Sequence, residues 1–137
     1  MSSILFTPAK LLIMNIIKFN RDNDIVYRTI NSAKQTIELS IWEYKHKFTT
    51  YYGVTLWINS KKSKGFVSDV QTGKCGIESL ILGKKLLKEM IHDNPDKKYI
   101  IWASDNKRFK AYEYDLKELG FKRSFVDGQK CLIKLTL

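Results

Sequence analysis

The sequence is poor in the residues that build disulfide frameworks and metal sites. It has two cysteines and two histidines in 137 residues. Cys75 and Cys131 make no disulfide framework, and His46 and His92 are isolated, so no metal-ligand spacing is present. We therefore expect no metal and no disulfide, and a reducing cytoplasm is the simplest compartment.

Long apolar runs are also missing. No apolar segment approaches the ~20 residues that a membrane-spanning helix needs. The start, MSSILFTPAKLLIMNII, is weakly apolar, lacks a basic region and is interrupted by Pro8 and Lys10, which is not typical of a signal peptide. We expect no membrane partner, and an organisation as an extension over 1–13 and a single domain over 14–137.

Positive charge is what the chain has in excess. Lysine and arginine number 24 against 14 acidic residues, which gives a formal net charge of +10. Such a balance attracts polyanions, so nucleic acid is a candidate partner beside phosphorylated small molecules. The alternative is a solvated lysine-rich surface, because the lysines are spread along the chain.

Hydrophobic periodicity predicts the element order β-α-β-β-β-α-β-α-β-β. The predicted strands span 11–19, 38–48, 51–59, 66–70, 99–104, 121–126 and 130–137, and the predicted helices span 25–37, 76–91 and 106–119.

Local signals mark the boundaries of these elements. The RDND segment at 21–24 offers caps for the first helix, and Gly120 suits the end of the last one. Asp127–Gly128 predicts a two-residue hairpin turn with positive φ at both positions. A strand–helix–strand unit favours a right-handed crossover, so 66–70 is expected to pair in parallel with 99–104.

Two glycines, in GKCG at 73–76, lie between the predicted strand 66–70 and the predicted helix that begins at 76. Free N–H groups and the helix dipole favour an anion such as phosphate there, and Lys74 adds a cation. The alternative is a tight turn without a ligand. The spacing fits neither a Walker loop nor a dinucleotide fingerprint. It matches the G-x-x-G loop of KH domains, but that loop joins two helices.

Together with the element order and this glycine-bearing turn, the segment SDNKRFKAYEYDLKELGFKR at 104–123 resembles the Gcn5-related N-acetyltransferases, with ELGF at 118–121 in the place of their lGF ending. The resemblance covers about 14–137. It implies a mixed α/β sheet of six or seven strands with helices on both faces. It also implies acetyl-CoA as co-substrate, an amine of a protein or small molecule as acceptor, and no metal.

The family's cofactor motif, [RQ]-x-x-G-x-[GA], is matched in part. Gln71 and Gly76 take its first and last places, while Lys74 stands where the inner glycine is expected. The resemblance implies that the pyrophosphate rests on N–H groups of 73–77, with a contribution from an Asn at the start of the later helix. The implied cofactor-binding residues are Val70, Gln71, Gly73, Lys74, Cys75, Gly76, Ile77 and Asn106.

The resemblance also implies a tyrosine acid that protonates the departing thiolate. The family's position holds Leu116, and Tyr112 lies one turn earlier on the same face, so Tyr112 is the candidate acid. The alternative for Tyr112 is an aromatic packed in the core. Glu43 and Asp69 are candidate bases or proton relays, and the sequence does not choose between them.

Two further side chains can serve either chemistry or packing. Cys75 at a helix start can act as a nucleophile or simply pack in the turn. Trp42 can line a substrate groove or belong to the core.

Three functions remain open at this point. The first is an acyl-CoA-dependent N-acyltransferase whose acceptor is unidentified and, given the basic surface, acidic or phosphorylated. The second is a basic nucleic-acid-binding module. The third is an acetyltransferase-like interaction protein without catalysis. Either a monomer or a homodimer is compatible with the sequence.

Overall fold

A computed structural model describes residues 15–58, 61–62, 75–102 and 106–135. The strands are β1 (Ile17–Arg21), β2 (Asp24–Ile30), β3 (Thr36–His46), β4 (Thr49–Ile58), β5 (Lys61–Lys62), β6 (Tyr99–Trp102), β7 (Lys122–Val126) and β8 (Gln129–Lys134). The helices are α1 (Cys75–Asp93) and α2 (Asn106–Asp115), and a 3₁₀ turn follows at Lys117–Leu119.

The described strands form one eight-stranded mixed sheet. Its order is β1-β2-β3-β4-β6-β8-β7, and the short β5 pairs with β4 outside this path. Every pairing among these strands is antiparallel except that of β4 with β6. The expected parallel strand at 66–70 lies outside the described residues. Among the described strands, β4 is the one that pairs in parallel with β6.

The predicted helix over 25–37 is wrong. The chain forms β2 there and enters β3 at Thr36, and β1 and β2 are joined by a tight turn in which Asp22 has φ 55°. The Asp and Asn that were interpreted as helix caps are turn residues, which the same side chains favour. Ile25, Val26 and their β-branched and aromatic neighbours suit a pleated strand better than a helix.

Both described helices pack on one face of the sheet, which contradicts the expectation of helices on both faces. The main core on that face joins side chains of α1 and α2 to alternate residues of the strands. It includes Leu39, Leu56, Leu82, Leu86, Met90, Tyr99, Ile101, Phe109 and Leu116. Residues 25–37 belong to the sheet and do not form a helix, and no described helix covers the other face.

A smaller apolar cluster lies on the other face. Ile100, Cys131 and Ile133 are buried there against the rings of Tyr44 and Trp102. The ends of two hairpins are tied together beside it: the Tyr44 hydroxyl donates to Asp127 at 2.5 Å, and His46 Nδ1 lies 3.1 Å from the same carboxylate. The β3–β4 hairpin is therefore fastened to the β7–β8 turn.

Several local predictions are confirmed. β3 and β4 form the expected antiparallel pair, and β6 is buried through Ile101 on both of its faces. Gly120 is left-handed with φ 96° after the 3₁₀ turn. Asp127 and Gly128 have φ 52° and 77°, as a two-residue hairpin turn requires.

Gly53 has no room for a side chain, because the ring of Trp42 lies across its α carbon. A Cβ on Gly53 would lie 2.5 Å from Trp42 Cε2 and 2.6 Å from Cη2. We expect Gly53→Ala to cost about 1–3 kcal/mol through overpacking, measured as a fall in the urea midpoint at unchanged m-value.

A double-mutant cycle isolates that contact. In a Trp42→Ala background the same Gly53→Ala change should cost little, since the crowding ring is gone. An equal cost in both backgrounds would mean that Trp42 is not the reason for the glycine.

Candidate functional site

The two parallel strands are paired only over a short stretch. Tyr52 lies opposite Tyr99 and Gly53 opposite Ile100, and the Tyr52 N–H donates to the Lys98 carbonyl at 2.6 Å. β4 continues to Ile58, while β6 continues beside β8. We call this region, from Tyr52 and Tyr99 onward, the β4–β6 fork. On the fork side of β4, β5 pairs with Trp57 and Ile58, and among the described strands none pairs with the 54–56 stretch between β6 and β5.

An interrupted strand edge offers backbone hydrogen-bonding groups to a ligand. Buried N–H and C=O groups need partners, and an extended chain with amides of its own can supply them as an added strand.

The start of α1 lies at the end of the sheet where β4 ends. Ile58 at the end of β4 pairs with Ile37, just after the β2–β3 loop. That loop holds the first turns of α1, since Ser32 Oγ donates to Glu78 at 2.8 Å and the buried Asn31 amide donates to Ser79 at 3.3 Å. The N-terminus of α1 is therefore on the same side as the open end of the fork.

A cleft of about 490 Å³ lies beside the closed end of the fork. We call it the acidic cleft; it is lined by Asn23, Asp24, Ile25, Ile41, Trp42, Glu43 and Tyr52. Tyr52 links the two features, because it lines the cleft and also makes the first pair with β6. Its ring meets Tyr99 edge to face at 5.7 Å, and Lys97 Nζ stands 5.5 Å from its centroid.

The cross-strand register places the reactive groups of the cleft. Glu43 lies opposite Tyr52, and Ile41 lies between Ile25 and Val54, all on the face that carries the helices. The last turn of α1 ends nearby, where Asp93 accepts a hydrogen bond from the Tyr27 hydroxyl at 2.6 Å. On this face the cleft combines the Glu43 carboxylate with the Tyr52 ring, a lining that suits a cationic or amine ligand. Asp24 and Trp42 also line the cleft, but they alternate with Ile25 and Ile41 and so direct their side chains to the other face.

Of the predicted catalytic residues, Glu43 lies in the acidic cleft, together with Trp42. Tyr112 is in the main core at 7% exposure and is not among the residues that line the cleft. Asp69 lies outside the described residues.

The predicted cofactor residues fall into three groups. Val70, Gln71, Gly73 and Lys74 lie outside the described residues. Cys75, Gly76 and Ile77 form the first turn of α1. Asn106 begins α2 as expected, and its side-chain oxygen accepts a hydrogen bond from Lys130 Nζ at 2.8 Å. The structure does not bring Asn106 to the acidic cleft.

Sequence reasoning missed two residues of the cleft, Asp24 and Tyr52. Asp24 was interpreted as a helix cap, and Tyr52 is one of two adjacent tyrosines in an ordinary strand pattern. Only the pairing of β2, β3 and β4 brings them together, and no local signal marks that register.

Two other kinds of chemistry find no support in the described part of the chain. No group of three or more His, Cys, Asp or Glu side chains there is placed to hold a metal ion. Burial raises the pKa of Cys131 to about 11, so this thiol is protonated at neutral pH and is a poor nucleophile.

No helix in the described ranges has the length and apolar character to cross a membrane.

Comparisons with protein-family models, with curated proteins and with solved structures find no match for this chain. Its function therefore has to be inferred from the geometry of the fork and the cleft.

Proposed function

We propose that the protein is an acyl-CoA-dependent N-acyltransferase that uses acetyl-CoA as the donor. The observation that carries this proposal is the β4–β6 fork, where two parallel strands part inside a sheet. The pantetheine arm of coenzyme A is an extended chain with amide groups. It can hydrogen-bond to a strand edge in the same way as an added strand.

The ends of the fork suit the two ends of such a donor. The first turn of α1 lies at the same end of the sheet as the open end of the fork, and its free N–H groups favour the pyrophosphate. The thioester would lie just beyond the closed end, where a backbone N–H of 54–56, on the same strand edge as the Tyr52 N–H that already donates to Lys98, can polarise its carbonyl.

The acidic cleft supplies a place for the acceptor amine. A protonated amine is attracted by Glu43, with Asp24 adding to the negative charge of the cleft, and it reaches the thioester past Tyr52. Glu43 first takes one proton from the ammonium group, which leaves a neutral nitrogen that can attack the carbonyl carbon. The second proton leaves this nitrogen to water as the amide forms. The carbon–sulfur bond breaks, and the thiolate is protonated by water or by an acid such as Tyr112, whose role stays a prediction.

The net charge of the protein and the lining of the cleft indicate different classes of acceptor. The net charge of +10 suggests an acidic or phosphorylated partner, but the cleft itself is acidic. We take the cleft as the better guide to the reacting group, since it surrounds that group directly. The amine can belong to a molecule whose remaining parts are anionic. A reducing cytoplasm is the proposed compartment, consistent with a free Cys131.

Transfer tests the proposal. We expect the protein, incubated with acetyl-CoA and a panel of polyamines, amino sugars and lysine peptides, to acetylate at least one amine, detected by mass spectrometry of the products. The acceleration should be at least about 10²-fold over the enzyme-free rate, the lower range for one positioned base. Binding of acetyl-CoA without transfer to any amine would favour the alternative of an inactive, acetyltransferase-like interaction protein.

A further inference from the structure

The helix-free face of the sheet carries a buried carboxylate held by two arginines. The side chain of Glu38 is 1% exposed, and Arg21 donates to its two oxygens at 2.8 and 3.0 Å. Arg28 donates to the same carboxylate from Nε at 2.7 Å, and its Nη2 lies 2.6 Å from the same oxygen. We call these three residues the Arg–Glu–Arg cluster.

The three side chains of the cluster sum to a charge of +1, and the carboxylates of Asp22 and Asp24 also act on Arg21. Burial acts to raise the pKa of Glu38, but the hydrogen bonds and charges of the two arginines outweigh it and lower that pKa. Glu38 is therefore ionised at neutral pH. Apolar residues can often replace a buried ion pair without loss of stability. We therefore infer that the cluster serves mainly to fix the orientation of its two guanidinium groups.

Both guanidinium groups remain accessible. The side chains of Arg21 and Arg28 are 44% and 35% exposed. Each guanidinium has five N–H donors, and each directs only two of its three nitrogens at Glu38. The remaining donors can bind an anion.

Aromatic rings surround the cluster. The guanidinium carbons of Arg21 and Arg28 stand 5.3 and 4.7 Å from the ring centroid of Phe19. Trp57 lies directly opposite Glu38 on the neighbouring strand and is half-buried, with its indole N–H donating to Ser40 at 2.8 Å. Two arginine side chains of fixed orientation and two aromatic rings thus lie next to each other on the helix-free face.

We propose that this helix-free face binds single-stranded nucleic acid, with Arg21 and Arg28 on phosphates and Trp57 stacking on a base. Guanidinium groups bind phosphate through their forked donors, and unpaired bases stack on aromatic rings or guanidinium planes. The net charge of +10 adds long-range attraction for a polyanion. A duplex would present its phosphates but would hide the base faces that Trp57 needs.

This inference is independent of the proposed acyl transfer. Glu43 and Tyr52 point to the helix-bearing face, whereas Glu38 and its arginines lie on the opposite one.

Fluorescence anisotropy with a labelled oligothymidylate of about 12 nucleotides, within the usual single-strand site size, tests the proposal. We expect binding at about 50 mM salt that weakens as salt rises, with a slope of about −0.7 for each phosphate contact. Arg21→Gln should weaken binding about fivefold and make the slope shallower by about 0.7. Trp57→Ala should weaken it about fivefold with the slope unchanged, because stacking involves no counterion release.

Arg123→Gln is the matched control. Arg123 is 45% exposed, donates to Glu113 from Nε and Nη2, and stands 5.3 Å from the ring of Phe109, so it repeats the features of Arg21 elsewhere. Glutamine at position 21 leaves Glu38 paired with Arg28, and circular dichroism checks the fold of each variant. Arg123→Gln should leave affinity within about twofold, since only exposed long-range charge is lost.

Three results would overturn the proposal. They are no binding at low salt, an equal loss in Arg21→Gln and Arg123→Gln, and a duplex of the same sequence that binds as tightly as the single strand.

Discussion

Replacing Gly76 with aspartate is expected to abolish acetyl-CoA binding and leave the protein folded. Gly76 lies in the first turn of α1, where the proposed pyrophosphate would rest. A carboxylate there would repel the phosphates and occupy the space they need. We expect affinity to fall by about 100-fold or more, which corresponds to about 2.7 kcal/mol, measured by calorimetry.

Loss of the fold is not the expected cause of that result. An acidic side chain in the first turn interacts favourably with the helix dipole, by about 0.3–1 kcal/mol. Aspartate is only slightly better than glycine as a helix former, so the change of propensity adds about 0.3 kcal/mol at most. The thermal midpoint of Gly76→Asp should therefore equal or exceed that of the unaltered protein.

Gly76→Ala separates the charge from the side-chain volume. It adds a Cβ without a carboxylate, so its binding loss should be about tenfold or less, below the cost of adding an opposed charge. If Gly76→Asp binds acetyl-CoA as the unaltered protein does, the phosphates do not rest at the start of α1.

Glu43→Gln is expected to lower kcat about 10²–10⁴-fold, the range for loss of a positioned general base. Acetyl-CoA affinity should stay unchanged, because Glu43 lies in the acidic cleft at the closed end of the fork. Initial rates with the best amine of the panel measure kcat and KM, and the affinity for acetyl-CoA is measured separately.

Asp24→Asn is the matched control, because it removes the other carboxylate of the same cleft. It should raise KM for the amine and change kcat little, since Asp24 is assigned to attraction and not to proton transfer. Unchanged kcat in Glu43→Gln, or a larger loss in Asp24→Asn, would remove Glu43 from the role of base.

The parts of the fold that were predicted correctly depend on local signals. The Asp127–Gly128 turn, the left-handed Gly120 and the buried strand Tyr99–Trp102 each follow from a few adjacent residues. The helix over 25–37 failed because its caps suit a turn equally well. The expectation of helices on both faces came from the family resemblance and was wrong as well, since both described helices lie on one face.

The candidate site was predictable only in part. Glu43 was found because it stands on an alternating strand, and a strand residue can border a cleft. Tyr52 and Asp24 were not found, because cross-strand register depends on the whole sheet and not on neighbours in the chain. The Arg–Glu–Arg cluster was hidden for the same reason: Arg21, Arg28 and Glu38 come from three strands.

Titration calorimetry of the unaltered protein with acetyl-CoA tests the proposed activity most directly. We predict saturable binding at one site per chain, with a Kd between about 1 µM and 1 mM, the usual range of substrate affinities. The complex should form at about 0.2 M salt as well as at low salt, since hydrogen bonds along the strand edge join uncharged groups, which salt does not screen. No binding at about 1 mM acetyl-CoA, with circular dichroism showing a folded protein, would contradict the assignment of the β4–β6 fork as an acyl-CoA site.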